Sequence, residues 1–129
     1  MNDSGQLGNN STNDSPVPVA VSGQGPGFLS LAGGGGFNCA LTGAGGAQCW
    51  GGNTYGQLGN NATVASPVPV AVTGLGSGVV SLATGGSHTC ALTTSGVQCW
   101  GNNYNGQLGN NSAVNSLVPV AVRGSVQVC

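Results

Sequence analysis

The hexapeptide GQLGNN occurs three times, starting at Gly5, Gly56 and Gly106, so the chain repeats itself with a period of 51 and then 50 residues. The repetition extends well past the hexapeptide. SPVPVAV at 15–21 returns at 66–72 and, as SLVPVAV, at 116–122; CALT at 39–42 returns at 90–93; QCWG at 48–51 returns at 98–101. A fixed period of this length marks a repeat architecture, in which each unit buries its apolar face against the next. Residues 5–55 form one complete repeat, 56–105 a second, and 106–129 the first half of a third. Aligning Gly5 with Gly106 sets Met1 opposite Asn102, so residues 1–4 read as the end of a truncated preceding repeat and the chain as a fragment of a longer array.

Within each unit the apolar residues alternate in short runs, such as Val17, Val19 and Val21, which is the periodicity of strands. Four strands are predicted per repeat: about 17–21, 28–32, 38–42 and 47–51 in the first, and about 68–72, 79–83, 89–93 and 97–101 in the second. Turn-forming clusters separate them, for example Gly74–Gly78, Thr84–Ser87 and Thr94–Gly96. Pro67 and Pro69 flank Val68, and proline cannot donate to a ladder, so that strand is expected at a sheet edge or to start late. A β-helix has a shorter period and a sandwich does not repeat its sequence. The expected fold is all-β: a partial β-propeller of four-stranded antiparallel blades.

Composition excludes several functions. Only Asp3, Asp14 and Arg123 carry a formal charge. Binding to DNA or RNA depends on several Lys and Arg side chains neutralising phosphates, so one arginine argues against a nucleic-acid partner, and equally against docking on an anionic membrane. No apolar run approaches the length of a membrane-spanning helix, and MNDSGQLGNN has neither the basic nor the apolar region of a signal peptide. With only two carboxylates, both near the N-terminus, acid–base catalysis has little to work with, and the expectation is a protein that is not an enzyme and holds no cofactor.

The segment CALTTSGVQCWGNNYNGQLGNN at 90–111, preceded by GGSH at 85–88, resembles the regulator of chromosome condensation repeat, and the resemblance covers essentially the whole chain. It rests on a glycine-rich turn, a histidine, an Ala-Leu strand, a Trp-Gly pair and Gly-Gln-Leu-Gly. It implies a seven-bladed propeller in the full-length protein. The founding member of the family is a guanine-nucleotide exchange factor that docks on chromatin, which makes exchange activity the less favoured expectation for a chain with a single basic residue. The first repeat departs from the pattern at Phe37, where the second has His88.

Five cysteines occur, and four of them form pairs that each span one hairpin: Cys39 with Cys49, and Cys90 with Cys99. Pairing Thr93 with Gly96 places Cys90 opposite Cys99. In the first repeat the turn is one residue longer, and pairing Thr42 with Gly46 still places Cys39 opposite Cys49. Directly opposed strand residues lie within disulfide reach, so two cross-strand disulfides are predicted, with four buried thiols as the alternative. There is no Cys-x₂-Cys spacing and His88 is the single histidine, which speaks against a zinc site. Oxidised pairs would place the parent protein outside the cell or at its surface. Cys129 has no counterpart in the repeat.

The remaining candidates are structural first. His88 lacks a catalytic companion and is expected to play a structural role, hydrogen-bonding within or between blades, which Phe37 at the equivalent position fits. Trp50 and Trp100 suit blade packing, with ligand stacking as the alternative. Leu7, Leu58 and Leu108 are expected to plug the core from turns whose glycines adopt positive φ. Asn10, Asn61 and Asn110 fit the Asn-x-Ser/Thr acceptor pattern.

The leading functional expectation is a scaffold that binds a protein partner through its loops, within a secreted or cell-surface protein. The alternative is a carbohydrate-binding module with Tyr55 and Tyr104 as the residues of interest. A partial propeller also leaves sheet edges open, which raises self-association through those edges.

Overall fold

The computed structural model describes residues 1–23 and 27–123; Cys129 lies outside them. Among the described residues eight strands succeed one another: β1 (Phe28–Gly33), β2 (Phe37–Thr42), β3 (Ala47–Gly51), β4 (Ser66–Ala71), β5 (Val79–Thr84), β6 (His88–Thr93), β7 (Gly96–Gly101) and β8 (Ser116–Ala121). They make two four-stranded antiparallel sheets, ordered β1-β2-β3-β4 and β5-β6-β7-β8. The chain is thus all-β and forms two adjacent blades of a partial propeller.

The blades do not coincide with the sequence repeats, which corrects the expected strand grouping. The SPVPVA strand, β4, closes the first sheet by pairing with β3 across a loop at 52–65; it does not open the second. In the same way β8 closes the second sheet. The expected strand at 17–21 does not form. A strand needs a partner's N–H and C=O groups. β4 and β8 find theirs in a segment ending fifteen residues earlier, at Gly51 and Gly101, and residues 17–21 have no such segment before them in this chain. Pro67 and Pro69 accordingly lie on an edge strand, as does Pro119 in β8.

Hairpin register is set by turn length. The β6–β7 hairpin pairs Thr93 with Gly96 and sets Cys90 opposite Cys99. In the β2–β3 hairpin the amide of Thr42 donates to the carbonyl of Gly46 at 2.9 Å, and Cys39 faces Cys49. The extra residue is absorbed in the turn and never reaches the strands.

Alternate residues of each strand point to opposite faces. On the first sheet, Phe37, Cys39, Leu41, Ala47 and Cys49 turn toward the second sheet and share one core cluster with Ala91 and Trp100 of that sheet, Leu58 of the 52–65 loop and Val72 just after β4. Polar contacts register the same interface. The hydroxyl of Thr84 donates to the carbonyl of Gly33 at 2.6 Å, and the amide of Gly35 donates to the carbonyl of Gly86 at 3.0 Å.

Candidate functional site

The Gly-Gln-Leu-Gly loops are the joints between blades. Residues 52–65 leave β3 of the first sheet, cross onto the second, and return as β4. At the crossing, the Trp100 indole N–H donates to the Gln57 carbonyl at 2.9 Å, and the Thr89 hydroxyl donates to the same oxygen at 3.1 Å. Leu58 is fully buried beside them. Gly59 lies at φ 69°, and a Cβ there would fall 2.7 Å from the Trp100 nitrogen. The first sheet repeats this arrangement: Trp50 donates to the Gln6 carbonyl at 2.9 Å, and Gly8 sits under its ring. Leu58 and Leu108 are fully enclosed, whereas Leu7 is only half-buried.

A buried asparagine holds each loop in shape. Asn53 Oδ1 accepts from the Leu58 amide at 2.9 Å, and its Nδ2 donates to the carbonyls of Ala62 at 2.9 Å and Val64 at 3.1 Å. Asn103 does the same for Leu108, Ser112 and Val114, and Asn2 for Leu7, Ser11 and Asn13. A carboxamide is the smallest side chain that accepts from one backbone group while donating to two others. Sequence reasoning missed these three residues. The signal was present, because Asn2, Asn53 and Asn103 each stand three positions before the Gly of GQLG. Of the asparagines singled out instead, Asn10 and Asn61 occupy left-handed turns at φ 63° and 64°, as does Asn111 at 62°, while Asn110 Oδ1 accepts from Asn103 Nδ2 at 3.2 Å.

The cysteines form two disulfides, Cys39–Cys49 and Cys90–Cys99, each with a Cα–Cα distance of 4.0 Å. The first is sealed between the sheets; Cys90 of the second is half-buried. His88 is also half-buried, and its ring lies where a Cβ on Gly85 would be; Phe37 sits in the same way beneath Gly34. Glycine at each of these turns makes room for a flat ring. Among the described residues no group of three or more His, Cys, Asp or Glu side chains is placed to hold a metal ion, and no helix is long and apolar enough to cross a membrane.

Among the described residues, two surface features offer room for a partner. One is the meeting point of loops 52–65 and 102–115, where Tyr55 and Tyr104 pack edge to face with ring centres 5.8 Å apart and Tyr104 is 65% exposed. The other is a cleft of about 310 Å³ on the outer face of the first sheet, with Gln6, Leu7, Val21, Leu31, Asn38 and Trp50 in its lining.

The Regulator of chromosome condensation (RCC1) repeat profile matches residues 45–92 and 96–129, more than half of the chain, and a second RCC1 repeat profile matches residues 79–107. The chain belongs to the RCC1 repeat family. Among solved structures, human WBSCR16 matches 92% of this chain with 29% identity and a TM-score of 0.78. Prp20p from Saccharomyces cerevisiae, in a structure described together with its binding properties to Gsp1p and histones, matches 95% with 19% identity and a TM-score of 0.77. Yeast RCC1 (Prp20) bound to Kap60 matches 74% with 20% identity and a TM-score of 0.67. The yeast likenesses are likenesses of fold. This RCC1-repeat chain spans only 31% of WBSCR16 and 33% of Prp20p, so it corresponds to a part of such a propeller.

Proposed function

We propose that this chain is a non-enzymatic scaffold that binds a protein partner through the paired loops 52–65 and 102–115, as part of a secreted or cell-surface protein. The observation that carries the reading is the Tyr55–Tyr104 contact on loops whose backbones are fixed from within by Asn53 and Asn103. Loops already ordered before binding lose less entropy on association, and tyrosine supplies contact area with a polar end. No Asp, Glu, Lys or Arg stands in either loop, so recognition would rest on rings, amides, hydroxyls and main-chain groups. Fold relatives whose structures are described with protein partners support a protein as the ligand class. The two disulfides support an oxidising compartment.

The same exposed ring supports carbohydrate as the second reading. Both are tested by presenting the wild-type chain and Tyr104→Ala, in parallel, to a library of displayed extracellular proteins and to a glycan array. A protein bound by the wild type and lost in the variant is the expected outcome. A glycan with that behaviour would replace the reading. Acceleration of nucleotide release from a small GTPase is not expected and would overturn it.

A further inference from the structure

We infer that Asn61 is an acceptor for N-linked sugar, its side-chain nitrogen taking an oligosaccharide from a lipid pyrophosphate carrier. The inference rests on the reading above that the chain is part of a secreted or cell-surface protein.

The Asn-x-Ser/Thr pattern is met at Asn2, Asn9, Asn10, Asn13, Asn61 and Asn110. The fold separates them. Asn2 is fully buried, and its Nδ2 donates to the carbonyls of Ser11 and Asn13. Asn9 keeps its Oδ1 out of solvent, and Asn110 Oδ1 accepts from Asn103 Nδ2. Asn10 and Asn13 are exposed, but they precede the first sheet and, among the described residues, have a sheet on one side only. Asn61 lies in loop 52–65 with a four-stranded sheet on each side, so its exposure is that of an interior repeat. Thr63, which supplies the hydroxyl of the pattern, is exposed as well. Among the described residues neither side chain makes a hydrogen bond. The backbone, by contrast, is held: the Asn61 amide donates to the Leu117 carbonyl in β8 at 2.9 Å, and φ is 64°. A fixed main chain with an unengaged carboxamide presents the nitrogen outward.

In the transfer, Asn61 Nδ2 loses a proton and forms a C–N bond to the anomeric carbon of the sugar, while the bond from that carbon to the carrier's pyrophosphate oxygen breaks. The product answers a need that the composition leaves open. Only Asp3, Asp14 and Arg123 are charged, the formal net charge is −1, and a protein so close to neutrality tends to associate. Val64, in the same loop, is 74% exposed. An N-linked sugar is bulky and solubilising, and it covers apolar surface beside its attachment point.

The full chain, directed into the secretory pathway of cultured eukaryotic cells and purified from the medium, tests the inference. A peptide N-glycosidase turns each sugar-bearing asparagine into an aspartate, and peptide mass analysis reports the change position by position. Asn61 is expected to carry sugar in the wild type, to lose it in Thr63→Ala and to keep it in Thr63→Ser. Both variants leave Asn61 and its left-handed turn in place, and near-ultraviolet circular dichroism confirms that each keeps its fold. Thiol titration of the same samples keeps this inference apart from the compartment it rests on. Asn61 bare, with Cys39–Cys49 and Cys90–Cys99 formed, would overturn the inference and leave the compartment standing. Asn61 occupied, with those four thiols free, would support the inference and count against the compartment. A sugar at Asn61 that survives Thr63→Ala would also overturn it, because the attachment would not follow the acceptor pattern.

Discussion

The indole nitrogen of Trp100 reaches back across 43 residues of chain to the carbonyl of Gln57, 2.9 Å away. Trp50 reaches Gln6 by the same bond across 44 residues. Both tryptophans are buried and both lie over a glycine two positions beyond the glutamine. The joint between blades is thus one ring locked onto one loop, and most of the repeated motif serves it.

Gly59 is constrained twice, by its positive φ and by the Trp100 ring; Gly74, at φ 76°, has nothing within 4 Å of a Cβ. Gly74→Ala should cost about 1–2 kcal/mol, the penalty of a left-handed residue. Gly59→Ala should cost about 2–5 kcal/mol, since overpacking adds to that penalty. Urea unfolding of both variants checks this, and equal losses would show that the ring contact is unimportant.

Asn53→Ala leaves the Leu58 amide and the Ala62 and Val64 carbonyls without their side-chain partner. A loss of about 2–4 kcal/mol is expected, because a stranded buried group costs about 1–3 kcal/mol and part of the loop can reach water. Hydrogen exchange at Leu58 should quicken far more than at strand amides such as Ala91, which separates loop opening from global unfolding.

The two disulfides close segments with sequence separations of 10 and 9 residues. Reducing both should destabilise the chain by about 2–3 kcal/mol for each bond. Cys39 and Cys49 are sealed between sheets while Cys90 is half-buried, so a mild reductant should open Cys90–Cys99 first. Quenched alkylation and then peptide mass analysis give the order; simultaneous opening would mean that burial does not control access.

His88→Phe places in the second sheet the residue the first sheet carries at Phe37, beneath an equivalent glycine. Stability should change by less than about 1 kcal/mol, and any partner binding mapped to the Tyr104 loop should persist. Loss of binding with an intact fold would give His88 a functional role.

Much of the fold was legible because repetition gave every assignment an independent second reading. Turn length alone fixed the hairpin register, so Cys39 opposite Cys49 came from counting. Periodicity is silent on phase, however. Any cut through a repeating sequence describes it equally well. Whether SPVPVA pairs with the strand after it or the strand before it is decided in space, by a β3 edge waiting across residues 52–65. The buried asparagines recur visibly three positions before each GQLG, but that recurrence does not disclose their role. Asn53 stands among other polar residues in a loop, and composition cannot distinguish an amide turned inward onto three backbone groups from one turned to water. The Tyr55–Tyr104 contact joins neighbouring repeats, at positions that do not align, and no within-repeat pattern encodes it.

The offset between repeat and blade also bears on how such a sequence changes in length. Excise one full period from any starting point, and the rejoined chain still gives each closing strand a partner at its usual distance upstream and each tryptophan a Gln-Leu turn some forty residues before it. Excise half a period, and a ring is left without its glycine. Recombination between repeats needs only to be in frame with the period; where it starts is immaterial. Blade number is then free to drift by whole units, with no seam left to record where one was lost or gained.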